Sequence, residues 1–258
     1  MFFGSERAVV QTSPFKRMLW TCRGDFHIGR WMRHFHLEQA LKKIPGQPRA
    51  ILDAGCGTGQ DAFAMERHFP QVAIEALDFS ENDIRLCIEM AAGLGSRIVF
   101  KRQDLQTAKF ERKYDLILVN SVFCTIRSYE NVFQRLVDSL SPGGRILLLD
   151  MDSEYNHLHF GGVITLSDAV YPGFSKMQLE NLFRKNGLQI LESSTILGDL
   201  GNFSHHLFSQ FREKPLLLNL LFPFLLFLGF LDSRWPCKEG SGILLVGQRP
   251  EMIKKGKP

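Results

Sequence analysis

The sequence has few cysteines, and their spacing argues against structures that depend on them. The 258-residue chain contains five cysteines, an odd number, and no C-x-x-C pair. The sequence therefore indicates neither a zinc site nor a disulfide framework. We expect no metal in its functional site. Because reduced thiols are the rule in the cytosol, a cytoplasmic protein is the default expectation.

Strong charge is missing as well, and we expect no secretory leader. The net charge of +4 is small, and a charge of this size does not by itself indicate a nucleic-acid partner. Glu6 and Arg7 interrupt the apolar N-terminus too early for a signal-peptide core. Hydrophobic residues make up 45% of the chain, enough to fill the core of one α/β domain with an elaboration.

A glycine-rich stretch from 50 to 61 is the most informative part of the sequence. It reads AILDAGCGTGQD, in which a short apolar run meets Asp53 and is followed by glycines at alternate positions, namely Gly55, Gly57 and Gly59. This pattern predicts a buried strand, a tight loop, and a helix that begins near Gln60. Glycine suits a loop where the backbone takes positive φ or a ligand approaches the main chain.

The loop does not fit the dinucleotide-binding fingerprint G-x-G-x-x-G/A, because Gln60 stands where the third small residue is needed. What is present, Asp-x-Gly-x-Gly-x-Gly, resembles the cofactor loop of the class I S-adenosylmethionine-dependent methyltransferases. The resemblance implies S-adenosyl-L-methionine as cofactor. It assigns a cofactor-binding role to Asp53, Gly55, Cys56, Gly57 and Gly59. The alternative is a glycine turn that binds no ligand.

Strand and helix patterns alternate regularly after this loop. Strands are predicted at 72–77, 97–101, 114–119 and 145–150, and helices at 60–69, 80–92 and 130–140. Such alternation indicates a parallel sheet with right-handed crossovers. By resemblance, 189–195 and 241–249 are a sixth strand and a seventh that runs antiparallel between the fifth and sixth. The predicted fold class is α/β, a Rossmann-like seven-stranded, mostly parallel sheet with helices on both faces.

Residues at the ends of the predicted strands match further positions of the family's cofactor site. The resemblance implies that Asp78 accepts hydrogen bonds from the ribose hydroxyls and that Phe79 lies against the adenine. It places Asp104 and Leu105 around the adenine ring and Asn120 at the mouth of the pocket. Taken singly, an acid such as Asp78 could instead be a helix cap.

The chain divides into four predicted regions. They are an N-terminal helical lid (1–49), a methyltransferase core (50–196), an apolar helical insertion before the last strand (197–241), and the last strand with a basic tail (242–258). The lid contains a predicted helix that ends at Pro45 and Gly46. One face of this helix is apolar and consists of Leu37, Ala40, Leu41 and Ile44. The lid either packs on the edge of the sheet or covers the cofactor.

The insertion contains a long apolar run, in which thirteen of the sixteen residues from 216 to 231 are Leu or Phe. Exposure of all thirteen would cost about 26 kcal/mol at ~2 kcal/mol each, so we expect the segment to be covered. The run is about four residues short of the ~20 that a spanning helix needs, and Pro223 would kink it. Three interpretations remain: a helical hairpin buried on the domain or in a homodimer, a peripheral membrane contact, and the cover of an apolar acceptor pocket.

Histidine is the natural general base where an acceptor oxygen must lose its proton. His157 and His159 follow the predicted fifth strand, in a loop that would overhang the pocket, and are the candidate catalytic residues. Four other histidines compete with them: His34, His36, His205 and His206.

The resulting functional prediction is a methyltransferase that acts on an oxygen or nitrogen, less readily a carbon, of a small acceptor that is lipophilic or membrane-associated. The alternative is a methyltransferase-like binding or scaffold protein without turnover. A nucleic-acid target is disfavoured, because methyltransferases of exposed bases often carry an Asn/Asp-Pro-Pro-aromatic run after the fourth strand. Here Asn120 is followed by Ser-Val-Phe instead.

Overall fold

A computed structural model describes residues 28–155, 170–211 and 214–251. Its centre is a seven-stranded sheet in the order β3-β2-β1-β4-β5-β7-β6. The strands are β1 (Ala50–Ala54), β2 (Ala73–Asp78), β3 (Val99–Arg102), β4 (Tyr114–Asn120), β5 (Leu140–Met151), β6 (Gln189–Ile196) and β7 (Gly242–Gln248). β7 pairs antiparallel with β5 and β6, and the remaining neighbours are parallel. The predicted fold class is confirmed, including the position and direction of the seventh strand.

Two apolar cores lie on opposite faces of this sheet. The helices are α1 (Ile28–Lys42), α2 (Gln60–His68), α3 (Glu81–Leu94), α4 (Tyr129–Asp138), α5 (Lys176–Lys185), α6 (Asp199–Phe211) and α7 (Pro215–Asp232). One core joins α1, α2, α3, α6 and α7, and the other joins α4 and α5. Neighbouring residues of β1 show the alternation that produces the two cores, since Ile51 belongs to the first and Leu52 to the second.

The fifth strand was predicted to begin at 145, whereas in the structure residues 140–144 already belong to β5. Tyr114 of β4 pairs with Leu140, and Leu116 pairs with Arg145, so the register shifts across this stretch. Residues 141–144 have no partner on β4. They bond instead to the chain after β7, where Arg249 N–H donates to the Gly144 carbonyl at 2.8 Å. Two other predicted boundaries also move, since β3 begins at Val99 and α4 ends at Asp138.

The lid helix α1 ends at Lys42, two residues before the predicted Ile44. Lys43 and Ile44 donate to the carbonyls three residues back instead of four, which is the tightened last turn common at helix ends. The rest of the predicted apolar face is buried: Leu37, Ala40 and Leu41.

The lid helix and the insertion pack directly on each other. The Phe35 and Phe230 rings meet edge to face with centroids 6.0 Å apart. Gly229 of α7 faces Met32 so closely that an added Cβ would lie 2.9 Å from its Cγ. A buried polar contact joins the same helices, with His36 Nε2 and Asp232 Oδ2 3.1 Å apart. The predicted four-region division of the chain stays a prediction.

The insertion is helical as predicted, but its arrangement differs. We expected a bend or a pair of short arms around Pro223, whereas α7 continues through that residue as one 18-residue helix and packs against α6. One face of α7 is buried and consists of Leu218, Phe222, Leu225 and Leu228. Within the described part of the chain the opposite face is open, and what covers it stays a prediction. None of the helices in the described ranges is long and apolar enough to cross a membrane.

Candidate cofactor site

A cavity of about 640 Å³ lies at the carboxyl ends of the central parallel strands. Eight of the ten predicted cofactor-binding residues line it: Gly55, Cys56, Gly57, Asp78, Phe79, Asp104, Leu105 and Asn120. The other two, Asp53 and Gly59, lie outside its lining. The motif residues are therefore brought together around one cleft.

The three loop glycines all have positive φ, at 87° for Gly55, 50° for Gly57 and 77° for Gly59. Added Cβ atoms would nevertheless meet different surroundings. A Cβ added at Gly55 would lie 2.4 Å from Val122, and a Cβ added at Gly59 would lie 2.9 Å from the Cys87 Sγ. At Gly57 an added Cβ would meet no atom of the residues that the structure describes within 4 Å. Gly55 and Gly59 thus allow close packing inside the protein, whereas Gly57 leaves open the space that a ligand needs.

Asp78 fastens the glycine loop to the end of β2. Its Oδ2 accepts from Gly57 N–H at 2.8 Å and its Oδ1 accepts from Ser80 N–H at 2.9 Å. The loop is bonded to the same strand a second time, because Gly55 and Cys56 N–H both donate to the Leu77 carbonyl. Each carboxylate oxygen has further acceptor capacity. Asp78 can therefore hold the loop and still bind a hydroxyl group.

The β2–β3 side of the cavity presents an aromatic surface. Phe79 is 69% exposed although it lines the cavity, an arrangement suited to stacking against a planar ring. Asp104 turns the chain after β3, where its Oδ1 accepts from Gln106 N–H at 2.8 Å. Leu105 beside it is buried. This side of the cavity therefore offers a surface suited to a planar ring.

Asp61, at the start of α2, lines the cavity and was not among the predicted site residues. Its Oδ2 accepts from Asn120 Nδ2 at 2.7 Å, and its Oδ1 lies 3.5 Å from Nδ1 of the buried His34. Asn120 in turn accepts from the Ser121 hydroxyl at 3.2 Å. The signal that could have found Asp61 is its place in the first turn of the helix that follows the glycine loop.

Acidic groups concentrate beneath the loop. Burial raises the pKa of Asp53 well above its ordinary value, and the charges of Asp61 and Asp78 raise it further. The Oδ2 atom of Asp53 is buried and has no hydrogen-bond partner among the described residues. A positively charged ligand would relieve the repulsion among these carboxylates. The site therefore suits a ligand that carries a sulfonium or an ammonium group.

A second cluster of polar groups lies toward β4 and β5. Burial raises the pKa of Asp150, at the end of β5, to about 6, and the Arg33 charge opposes that shift. Burial also lowers the pKa of His205 on α6, and the charges of Arg33 and His206 lower it further. Arg33 of α1 lines the cavity itself. The lid helix therefore brings a cation to this end of the site.

The candidate catalytic residues His157 and His159 lie outside the described residues, and their role stays a prediction. Among the competing histidines, His34 and His36 are buried on α1 and face Asp61 and Asp232 respectively. His206 is exposed on α6. Within the described ranges, no group of three or more His, Cys, Asp or Glu residues is placed to hold a metal ion.

The family model for the methyltransferase domain matches residues 27–193, which contain the loop, the cavity and the first five strands. The chain belongs to the class I S-adenosylmethionine-dependent methyltransferases. S-adenosylmethionine is the cofactor of this family, as the glycine loop predicted. The open space at Gly57 and the acidic groups beneath the loop fit that cofactor.

Curated relatives match a part of the chain. A malonyl-[acyl-carrier protein] O-methyltransferase of Priestia megaterium is 32% identical over 120 residues, which cover 46% of this chain and 43% of that protein. A trans-aconitate 2-methyltransferase of Pseudomonas paraeruginosa is 34% identical over 97 residues, covering 38% and 37%. The chain thus spans less than half the length of the curated relatives it matches.

Solved structures share the fold over most of the chain. A plantazolicin methyltransferase, solved with S-adenosylhomocysteine, superposes with a TM-score of 0.60 at 17% identity, covering 96% of this chain and 97% of that one. Phosphoethanolamine N-methyltransferase 2 of Haemonchus contortus, solved with S-adenosyl-L-methionine, gives a TM-score of 0.62 at 16% identity, covering 84% and 52%. Identities this low show the fold alone.

Proposed function

We propose that this protein transfers a methyl group from S-adenosylmethionine to an oxygen or nitrogen, less readily a carbon, of a small acceptor. The observation that carries the proposal is the glycine loop bonded to Asp78 with open space at Gly57. Names of relatives support an oxygen or nitrogen acceptor, since they include O-methyltransferases and a phosphoethanolamine N-methyltransferase. S-adenosylmethionine supplies an electrophilic methyl group, and the protein supplies positioning, which removes ~7–11 kcal/mol of barrier in well-aligned reactions.

The cofactor's ends are assigned from the chemistry of the lining. Asp78 would accept from the ribose hydroxyls with its remaining lone pairs, and Phe79 would stack on the adenine beside Leu105. Asp61 and the buried Asp53 would stabilise the positive charge of the methionyl end. Asn120, oriented by its bond to Asp61, would lie beside the reacting methyl group.

A labelling experiment tests this function. The protein is incubated with methyl-tritiated S-adenosylmethionine and a metabolite extract of the cells that encode it, and the labelled products are separated. We expect at least one labelled small molecule that depends on the protein. Binding of S-adenosylhomocysteine without any labelled product would contradict the proposal and favour the alternative of a methyltransferase-like binding or scaffold protein.

We also propose that α7 docks on an anionic membrane surface and that the acceptor is lipophilic. The open side of α7, here called the α7 apolar face, exposes large side chains: Leu216 (82%), Leu220 (79%), Phe224 (49%) and Phe227 (54%). Cations flank the helix at both ends, with Lys214 before it and Arg234 stacked on the Phe230 ring at 4.6 Å after it. Apolar faces with flanking cations favour anionic headgroups.

Co-sedimentation with liposomes tests the docking. Vesicles of phosphatidylserine and phosphatidylcholine should bind the parent protein, and the triple change Leu220→Ser, Phe224→Ser, Phe227→Ser should weaken binding by about 100-fold or more, given ~0.8 kcal/mol per buried methylene. A matched control replaces three exposed apolar residues elsewhere: Leu94, Met177 and Leu191. If the parent ignores vesicles and forms a dimer that the triple change dissociates, the face is instead a homodimer contact.

A further inference from the structure

One residue that lines the cavity has an unusual backbone conformation. Ser121 directly follows β4 and has a φ of 56°. Its N–H donates to the Leu149 carbonyl of β5 at 2.8 Å, which holds the backbone in place. Glycine adopts positive φ freely, whereas a serine in this conformation is strained. Strain of this kind beside a ligand cavity points to a use for the side chain.

The Ser121 hydroxyl ends a hydrogen-bond chain that begins at Asp61. A carboxylate only accepts hydrogen bonds, so Asn120 turns its Nδ2 toward Asp61 Oδ2, at 2.7 Å. This fixes the orientation of the amide and leaves Asn120 Oδ1 toward Ser121. An amide oxygen also only accepts, so the Ser121 hydroxyl donates to it at 3.2 Å. The direction of each bond therefore follows from the carboxylate at the start of the chain.

The chain is held by three elements of the fold. Asp61 lies in the first turn of α2, and its Oδ1 is 3.5 Å from Nδ1 of the buried His34 on α1. Asn120 is the last residue of β4. The lid helix, the helix after the glycine loop and the central sheet together fix the hydroxyl, which is the rigidity that a binding group needs.

The direction of the chain determines what the Ser121 hydroxyl can bind. A hydroxyl has one proton to donate and two lone pairs that accept. Because the proton of Ser121 goes to Asn120, the hydroxyl presents its lone pairs to a ligand in the cavity. A ligand group that bonds to it must carry an O–H or N–H. An ionised carboxylate and a tertiary amine carry neither.

The chain can orient a hydrogen of the acceptor, but it cannot remove one. The Asn120 amide takes up no proton, so a proton from the acceptor could not pass through it to Asp61. A hydroxyl acceptor needs a base to take its proton, whereas a neutral amine reacts through its lone pair with its hydrogens in place. An amine is therefore the acceptor for which this chain is sufficient.

We infer that Ser121 accepts a hydrogen bond from an N–H of the acceptor, which is a primary or secondary amine. The inference rests on the proposed function and names its substrate class. The nitrogen lone pair forms a bond to the methyl carbon while the carbon–sulfur bond breaks, and the electron pair of that bond stays on sulfur. The positive charge of the sulfonium ends on the methylated nitrogen, which keeps its hydrogens until water takes up one of them.

Selective blocking of amines tests the acceptor class. The metabolite extract is treated with an N-hydroxysuccinimide ester, which acylates primary and secondary amines. The reagent is quenched before the protein and methyl-tritiated S-adenosylmethionine are added. We expect the protein-dependent label seen with untreated extract to be lost. Adding untreated extract to the treated sample should restore it, which excludes inhibition by the reagent.

Ser121→Gly tests the hydroxyl without straining the backbone, since glycine adopts positive φ. The labelling rate at limiting extract should fall about 3- to 10-fold, the usual effect of losing one hydrogen bond. Affinity for S-adenosylhomocysteine, measured by calorimetry, should stay within about twofold of the parent. As a control, Ser209→Gly removes an exposed hydroxyl on α6, outside the cavity lining, and should change neither quantity.

Three results would overturn the inference. Unchanged labelling of the acylated extract would exclude a primary or secondary amine and leave the proposed function intact. Labelling by Ser121→Gly at the parental rate would show that the hydroxyl does not bind the acceptor. A clear loss of S-adenosylhomocysteine affinity in that variant would assign Ser121 to the cofactor instead. Failure of the proposed function looks different, because the parent would then form no labelled product at all.

Discussion

The two sides of the cavity are built from different kinds of contact. On the glycine-loop side, Gly57 bonds to Asp78, 21 residues away, and the loop sits on the neighbouring strand. On the lid side, α1 is held by α7 through His36 and Asp232, which are 196 residues apart. The cofactor side of the cavity is therefore a local structure of consecutive strands. The opposite wall depends on the insertion being folded against the lid.

We therefore expect changes on the lid side to act on stability and changes on the loop side to act on cofactor affinity. The largest effect is expected for Asp232→Ala. The Asp232 carboxylate is buried and accepts from Gly198 and Gly201 N–H, at 3.1 Å each, besides its contact with His36. Its removal should lower the free energy of unfolding by ~3–5 kcal/mol, the usual cost of breaking a buried pair.

Denaturant titration measures this change. The exposed Asp199, in the first turn of α6, offers a matched control, and Asp199→Ala should cost less than about 1 kcal/mol. If Asp232→Ala were as stable as the control, the α1–α7 contact would be dispensable and the lid side would not depend on it.

Asp78→Ala should produce the next largest effect, on binding. Charge-assisted hydrogen bonds contribute ~1.5–3 kcal/mol, so affinity for S-adenosylhomocysteine should fall by about 10- to 100-fold. Loss of the Gly57 bond adds to this effect, because the loop is no longer fastened at that point. Calorimetry checks it against Glu81→Ala, an exposed acid on the following helix. Binding within about twofold of the parent would leave Asp78 with a helix-capping role.

The smallest effect is expected at a solvent-exposed ion pair between the end of the lid and the sheet. Lys43 Nζ lies 2.7 Å from Glu192 Oε1, but its side chain is 61% exposed. Exposed ion pairs contribute ~0.2–1 kcal/mol. Lys43→Ala should therefore change the unfolding free energy by less than about 1 kcal/mol. A loss as large as that of Asp232→Ala would mean that surface contacts, and not the buried one, hold the lid.

The cofactor side could be predicted from the sequence to a large extent, because its features are local. The spacing of Gly55, Gly57 and Gly59 and the acid at the end of the second strand mark the loop without knowledge of the fold. What each of these glycines makes room for could not be predicted. Val122 and Cys87, which explain Gly55 and Gly59, come close to the loop only when the sheet forms.

The lid side and the insertion could be predicted less well, for physical reasons. Nearly every position of α7 is apolar, so no periodicity distinguishes the buried Leu218 from the exposed Leu220. The expectation that Pro223 divides the segment into two short helices was wrong, since α7 remains one helix supported by its packing. Arg33 was one of several basic residues in the lid, and its position at the cavity follows from α1 packing on α7.

The central claim, that the glycine loop holds S-adenosylmethionine, is tested most directly by comparing Gly57→Val with Gly187→Val. Both glycines have positive φ, at 50° and 73°, and at either one an added Cβ would meet no described atom within 4 Å. The backbone strain of the two changes is therefore similar, but only Gly57 lines the cavity. Calorimetry with S-adenosylhomocysteine should show a Kd weaker than about 1 mM for Gly57→Val and binding within about twofold of the parent for Gly187→Val. Equal, undiminished binding by both variants would contradict the claim.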